Sequence, residues 1–134
     1  MKDIRILILE DDLETVEKIF LVLRKIEEER GAVFGVTVIP DYIQVKEFIN
    51  KNPQIKFDLL LLDRDCFLGG SFHEVDLKNF EKNRIISISS VPQYNLNAYK
   101  MGIKRVVLKD YQNIEDFGKR LKAEILGIDS LWIK

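Results

Sequence analysis

A chain of 134 residues, 46% hydrophobic and 32% charged, is long enough for one domain with a real core and has the composition of an ordinary soluble globular protein. Its 21 basic and 22 acidic side chains leave a net charge of −1, which provides no general attraction to nucleic acid. A single cysteine and a single histidine exclude an internal disulfide framework and a zinc cluster.

The N-terminus, MKDIRILILEDD, does not read as a signal peptide, because Arg5 interrupts the apolar run and acidic residues close it. No stretch approaches a membrane-spanning length, so the expectation is a cytoplasmic protein without a membrane partner. Residues 4–9 read as a buried strand that stops at Glu10-Asp11-Asp12. From Leu13 to Arg30, Val16, Ile19, Phe20, Leu23 and Ile26 recur at helical spacing, with Glu14, Lys18, Arg24, Lys25 and Glu28 opposite, and Gly31 ends the helix. Residues 34–39 predict a second strand, stopped by Pro40. Asp41 with Gln44 three positions later forms a capping box that opens a helix to about Asn50.

Residues 57–70, FDLLLLDRDCFLGG, carry the most information. Four consecutive leucines are too few for a helix and suit a strand buried on both faces, as in the middle of a parallel sheet. The run stops at Asp63. Ligands of open α/β sheets bind beyond the carboxyl ends of the strands, where an aspartate suits a nucleophile or a metal ligand. Aspartate also favours turns and helix caps, and this stretch alone does not separate the two readings. In segment 71–83, Val75, Leu77 and Phe80 line a short helix.

Ile85–Ser89 predicts a fourth strand followed by Ser90, and Pro92 opens a helix to about Met101, stopped by Gly102. Arg105–Leu108 predicts a fifth strand, ending at Lys109. Asn113 caps a last helix with Ile114, Phe117, Leu121 and Ile125 on its inner face, which Gly118 weakens by about 1 kcal/mol relative to alanine. Residues 1–127 form the domain and 128–134 a C-terminal tail, whose Trp132 packs back, serves a partner or begins a linker. His73 reads as a loop residue and Cys66 as a small buried hydrophobe.

Strands alternating with helical patterns predict an α/β fold, a three-layer α/β/α sandwich around a five-stranded parallel sheet. Right-handed crossovers favour the flavodoxin-like order 2-1-3-4-5. In that order the strand ends bring Glu10, Asp11, Asp63, Ser89 and Lys109 to one edge. Two like charges ~4 Å apart at an effective dielectric of ~20 repel by about 4 kcal/mol, so three carboxylates there call for a cation. Magnesium, which keeps several waters and binds few carboxylates, suits them, with manganese the substitute. Lys109 supplies a point charge and Ser89 a hydrogen bond for a phosphoryl group, and positioning with charge neutralisation is most of what phosphoryl transfer needs.

Over nearly its whole length the sequence resembles the receiver domain of bacterial two-component response regulators. ILILEDD resembles that family's first strand with its acidic pair, DLLLLD the strand bearing the phosphoacceptor, RIISISS the strand ending in Ser/Thr, and MGIKRVVLKD the Gly-to-Lys segment. The resemblance implies that Glu10, Asp11, Asp63 and the backbone carbonyl of Asp65 bind magnesium. It also implies that Asp63 accepts a phosphoryl group from a histidine kinase or phosphotransfer protein, that Ser89 senses it and that Lys109 pairs with it. Such a domain is not a conventional enzyme, although it promotes its own phosphorylation and dephosphorylation. Its output passes to a downstream protein target, or through a homodimer formed by the helix from Pro92, strand five and the last helix, with no direct nucleic-acid contact.

Four departures bear on output. Val106 stands where the family often has an aromatic switch residue, and Asp110 where a proline commonly follows the lysine. The loop after Asp63 has Cys66-Phe67-Leu68 in place of its usual proline, and the spacing from Asp11 to Asp63 is long while that from Asp63 to Ser89 is short. They leave room for a pseudo-receiver, a binding module that does not signal by phosphate. A haloacid-dehalogenase-like phosphatase is a further alternative, because Asp63-Arg64-Asp65 imitates its DxD motif, but only Asp110, Glu115 and Asp116 follow the lysine as acidic candidates.

Overall fold

The apolar runs do become strands, and the periodic segments helices. The computed structural model of the chain describes residues 2–63, 77 and 80–133. In chain order these form β1 (Lys2–Leu9), α1 (Leu13–Arg30), β2 (Ala32–Ile39), α2 (Tyr42–Lys51), β3 (Leu59–Asp63), a 3-10 turn (Lys82–Arg84), β4 (Ile85–Ser89), α3 (Pro92–Lys100), β5 (Arg105–Leu108), α4 (Ile114–Leu126) and α5 (Asp129–Trp132). All strand pairs are parallel and the order is β2-β1-β3-β4-β5. This is the flavodoxin-like order expected from the alternation of elements.

Every residue of β3 and β4 is buried, because helices cover both faces of these strands. Side-chain alternation divides the core in two. Ile6, Ile8, Leu61, Ile86, Ile88 and Val107 pack with Ile19 of α1, Phe117 of α4 and Leu131 of α5. Leu7, Leu9, Leu60, Leu62 and Ile85 pack with Val45 of α2 and Ala98 of α3 on the other face. The register pairs Leu9 with Leu62, Asp63 with Ile88 and Ser89 with Leu108, so the carboxyl ends of these strands lie along one edge.

The buried stripe of α1 is Thr15, Ile19, Val22, Leu23 and Ile26, whereas Phe20 is 41% exposed and Val16 half-buried. The expected stripe was centred about one position off, because a face spaced at three and four residues admits either neighbour at its margins. β2 starts two residues earlier than expected because Ala32 and Val33 pair with Lys2 and Asp3. The helix expected in segment 71–83 falls largely outside the described residues; Leu77 and Phe80 pack against the second core cluster, and the described end is the 3-10 turn.

Asp12, Asp41 and Asn113 each cap a helix, accepting from the N–H groups of Thr15, Gln44 and Asp116. Gly118 has a packing reason: a Cβ there would stand 2.6 Å from Cε of Lys18, which crosses the helix on its way to Glu115. The helical weakness read from the sequence is thus tied to a close approach between α1 and α4. Residues 128–132, expected to form a tail, pack on the first core cluster through Ile128 and Leu131. The Trp132 indole N–H donates to the Ile125 carbonyl at 3.2 Å, and the Arg30 guanidinium lies 5.1 Å from the ring centre. Of the three readings for Trp132, packing back onto the domain is the one observed.

Truncating Leu131 to alanine is expected to cost roughly 2–5 kcal/mol in urea unfolding, the range for a buried leucine. The α1–α4 seam also carries a pH dependence. Lys18 pairs with Glu115, and Lys122 with Glu29 at 2.6 Å, and these hydrogen bonds hold both carboxyls below their ordinary 4.5. A depressed carboxyl stabilises the fold above its unfolded pKa, and that contribution disappears as pH falls through the folded value. The variant Glu29→Gln/Glu115→Gln should therefore have a lower urea midpoint than the parent above pH 4.5, with the two converging below it.

Candidate functional site

Glu10 immediately follows β1, and its backbone N–H donates to the Ile39 carbonyl of β2 at 3.3 Å. The side chain turns inward, 1% exposed, where Oε1 accepts from the backbone N–H groups of Asp11 (3.2 Å) and Asp12 (3.0 Å). Lys109 follows β5, and its backbone N–H donates to the Ser89 carbonyl at 2.7 Å, continuing the sheet past the last strand residue. Its Nζ lies 3.2 Å from Glu10 Oε2 and 3.2 Å from Asp63 Oδ2. Both carboxylates and the ammonium are almost wholly removed from solvent.

Charge explains why the three groups gather. At an effective dielectric of ~20, each attraction across such a distance is about 5 kcal/mol, and two of them exceed the single repulsion between the carboxylates. Desolvation opposes this gain. Burial pushes the Glu10 carboxyl above its ordinary 4.5, against the pull of Lys109 and of the N–H donors. Half-buried Asp11 completes the cluster: oxygens of Glu10, Asp11 and Asp63 all lie within 4.8 Å of one another. Three carboxylates against one ammonium leave an excess of two negative charges, and the donors are all hard oxygens. That set fits a divalent cation of the magnesium or manganese type. When bound, such an ion would neutralise the excess charge and order oxygen ligands around it.

Ser89 ends β4, one residue beyond Ile88, the register partner of Asp63. It is fully buried, and its Oγ accepts from the Val91 N–H at 3.0 Å, toward the start of α3. Asp65, together with Cys66 and His73, lies outside the described residues. Val106 is half-buried on the α3 side of the sheet. Asp110 accepts from the N–H groups of Gln112 (2.9 Å) and Asn113 (3.2 Å), so a side-chain turn shapes this loop.

Three further residues near this edge stand out little in the sequence. Tyr111 places its ring centre 5.4 Å from Lys109 Nζ, and burial pushes its hydroxyl pKa up. Ser87 and Asn95 are buried and joined by a 3.0 Å hydrogen bond. Their signals were present but quiet: a polar residue within an apolar strand, and an asparagine three positions before Ala98 on the inner face of α3.

No protein-family model matches the sequence, and no curated protein does. Solved structures do match. The Mn2+-bound form of response regulator Rcp1 has a TM-score of 0.73 at 16% identity, covering 98% of this chain and 95% of that one. The phosphorylated cyanobacterial phytochrome response regulator RcpA has the same TM-score and identity, with 97% and 94% covered. The beryllofluoride-activated N-terminal receiver domain of RstA from Klebsiella pneumoniae reaches 0.59 at 23% identity, with 90% and 97% covered. The chain therefore has the fold of response regulator receiver domains, over 90–98% of its own length.

Replacing Lys109 with methionine removes the ammonium that two buried carboxylates share. Urea unfolding should show a loss of roughly 3–5 kcal/mol, the cost of breaking a buried ion pair from one side. Adding Asp63→Asn to this variant should recover part of the loss.

Proposed function

We propose that the chain is a cytoplasmic response regulator receiver in which Asp63 accepts a phosphoryl group from a histidine kinase or phosphotransfer protein. The observation that carries this reading is the buried Lys109 ammonium, 3.2 Å from both Asp63 and Glu10, with Asp11 beside them. A carboxylate oxygen of Asp63 attacks the phosphorus of the phosphohistidine. The P–N bond breaks, the imidazole nitrogen keeps the electron pair and takes a proton, and an acyl phosphate is left on Asp63. Lys109 then turns from the carboxylate to the new phosphoryl oxygens, which carry roughly −1.5 to −2 charge, and Ser89 donates its hydroxyl to one of them. Glu10, Asp11 and Asp63, with the backbone carbonyl of Asp65 as the family resemblance implies, would hold Mg2+ or Mn2+; the structural similarity to the Mn2+-bound form of Rcp1 supports that choice.

Output passes through the surface of α3, β5 and α4, to a downstream protein or in a homodimer. Leu96, Tyr99 and Met101 are exposed there, with the Lys104 ammonium 4.0 Å from the Tyr99 ring centre. Among the described residues no helix is long and apolar enough to cross a membrane.

The phosphatase alternative needs an acidic group after the lysine. Asp110 is engaged by backbone N–H groups, Glu115 by Lys18 and Asp116 by Arg120, which favours the receiver reading. Val106, an aliphatic residue at the switch position, is what keeps the pseudo-receiver reading open.

Incubation with acetyl phosphate and Mg2+ should add one phosphoryl group, detected as a mass increase that hydroxylamine removes by expelling phosphate and leaving a hydroxamate. Asp63→Asn should abolish it; a variant that still labels removes Asp63 as the acceptor. Mg2+ alone should raise the melting temperature of the parent, as any ligand confined to the native state does, and Glu10→Gln should blunt that rise. Substituting Asp65 by asparagine should change the rate at which the acyl phosphate decays, and an identical rate would assign that residue no part in the lifetime.

A further inference from the structure

The sheet face beneath α3 holds a buried polar bridge that the phosphoryl-accepting group does not use. Ile86 and Ile88 point to the α1/α4 side, so Ser87 and Ser89 point to the α3 side together with Val106, the register partner of Ser87. Asn95, 7% exposed, reaches down from α3 between β4 and β5. Its Oδ1 accepts from the Ser87 hydroxyl at 3.0 Å, and its Nδ2 donates to the Val107 carbonyl at 3.1 Å. One amide thus fastens α3 to two strands, in an interior where an unmade hydrogen bond costs more than a made one gains.

The position of this bridge matters. Val91, the N-cap of α3, donates its N–H to Ser89 Oγ. When Ser89 turns toward a group on Asp63, it carries or releases that N–H, and the first turn of α3 is pulled. Asn95 lies one turn further along the same helix, so the pull works directly against its two hydrogen bonds. An aromatic side chain at Val106 would bring bulk to this face of β5; here the neighbour of Ser87 is aliphatic, and the amide takes the polar contact.

Resting on the receiver reading, we infer that Asn95 is a positioning residue that latches α3 to β4 and β5 in the resting state, so that its hydrogen bonds to Ser87 and Val107 set how readily phosphorylation shifts the output face. The switch is then a two-state equilibrium in which the latch stabilises one state only. Weakening it raises the population of the switched state, and linkage requires that any ligand of the switched state then bind more tightly.

The test uses the full chain and beryllofluoride with Mg2+ as the phosphoryl mimic. Asn95→Leu, close in size but unable to make either bond, should bind it about tenfold more tightly, the factor that one or two net hydrogen bonds represent. Without the mimic, the methyl resonances of Ala98 and Ile103 should already move toward their positions in the beryllofluoride-bound parent. Ser87→Val and Ser87→Thr introduce side chains of the same shape that differ by a hydroxyl, so the first should reproduce the tightening and the second should restore parental affinity. This pair decides the matter if Asn95→Leu does not unfold cooperatively. Parental or weaker affinity in Asn95→Leu, or equal behaviour of Ser87→Thr and Ser87→Val, overturns the latch while leaving the acceptor site standing. A parent that ignores beryllofluoride in Mg2+ sinks the receiver reading itself, and the latch with it.

Discussion

The buried ammonium of Lys109 holds the carboxyl edge of the sheet together. Lys109 is the last residue hydrogen-bonded onto the sheet beside β4, and its Nζ reaches back to groups at the ends of β1 and β3. Without it, Glu10 and Asp63 would face each other at a separation where like charges in a desolvated pocket are intolerable. The rest of the fold serves to bring these strand ends to that point. The parallel register aligns them, the two apolar layers stiffen them, and the capped starts of α1 and α4 place the following loops.

A buried charge cluster is an expensive means of stabilising a domain, since apolar residues of similar size would do as well or better. Its presence beside a half-buried third carboxylate is what supports the proposed chemistry at this edge. The same reasoning applies to Ser87 and Asn95, polar groups within an otherwise apolar layer. Their hydrogen bonds are satisfied, so they cost little, but they restrict where α3 can sit. Asp110 shows a third case. An Asx turn gives the loop after Lys109 a defined path by a hydrogen-bonding route instead of the ring of a proline.

The number and order of the strands, the parallel sheet and the gathering of carboxylates with Lys109 were legible in the sequence. Each rests on strong local signals: all-apolar runs of strand length, periodic helices, and chemically unusual residues where the runs stop. What misled was marginal. Phe20 lies at the rim of a helical stripe, and β2 gained two residues from pairing with β1. Residues 128–132 look like a tail because the segment is short and follows Gly127, yet two of its side chains enter the core.

By itself, then, the sequence determined the fold class, the strand order and the set of residues at the sheet's edge, because periodicity and strand-end chemistry are local properties and the handedness of crossovers leaves few arrangements. Only the tertiary structure decided that Lys109 divides itself between Glu10 and Asp63, that Gly118 makes room for Lys18, and that Asn95 bridges β4 and β5. Each of these is a contact between side chains and groups on different elements, and hydrophobic patterning carries no information on which polar atom meets which.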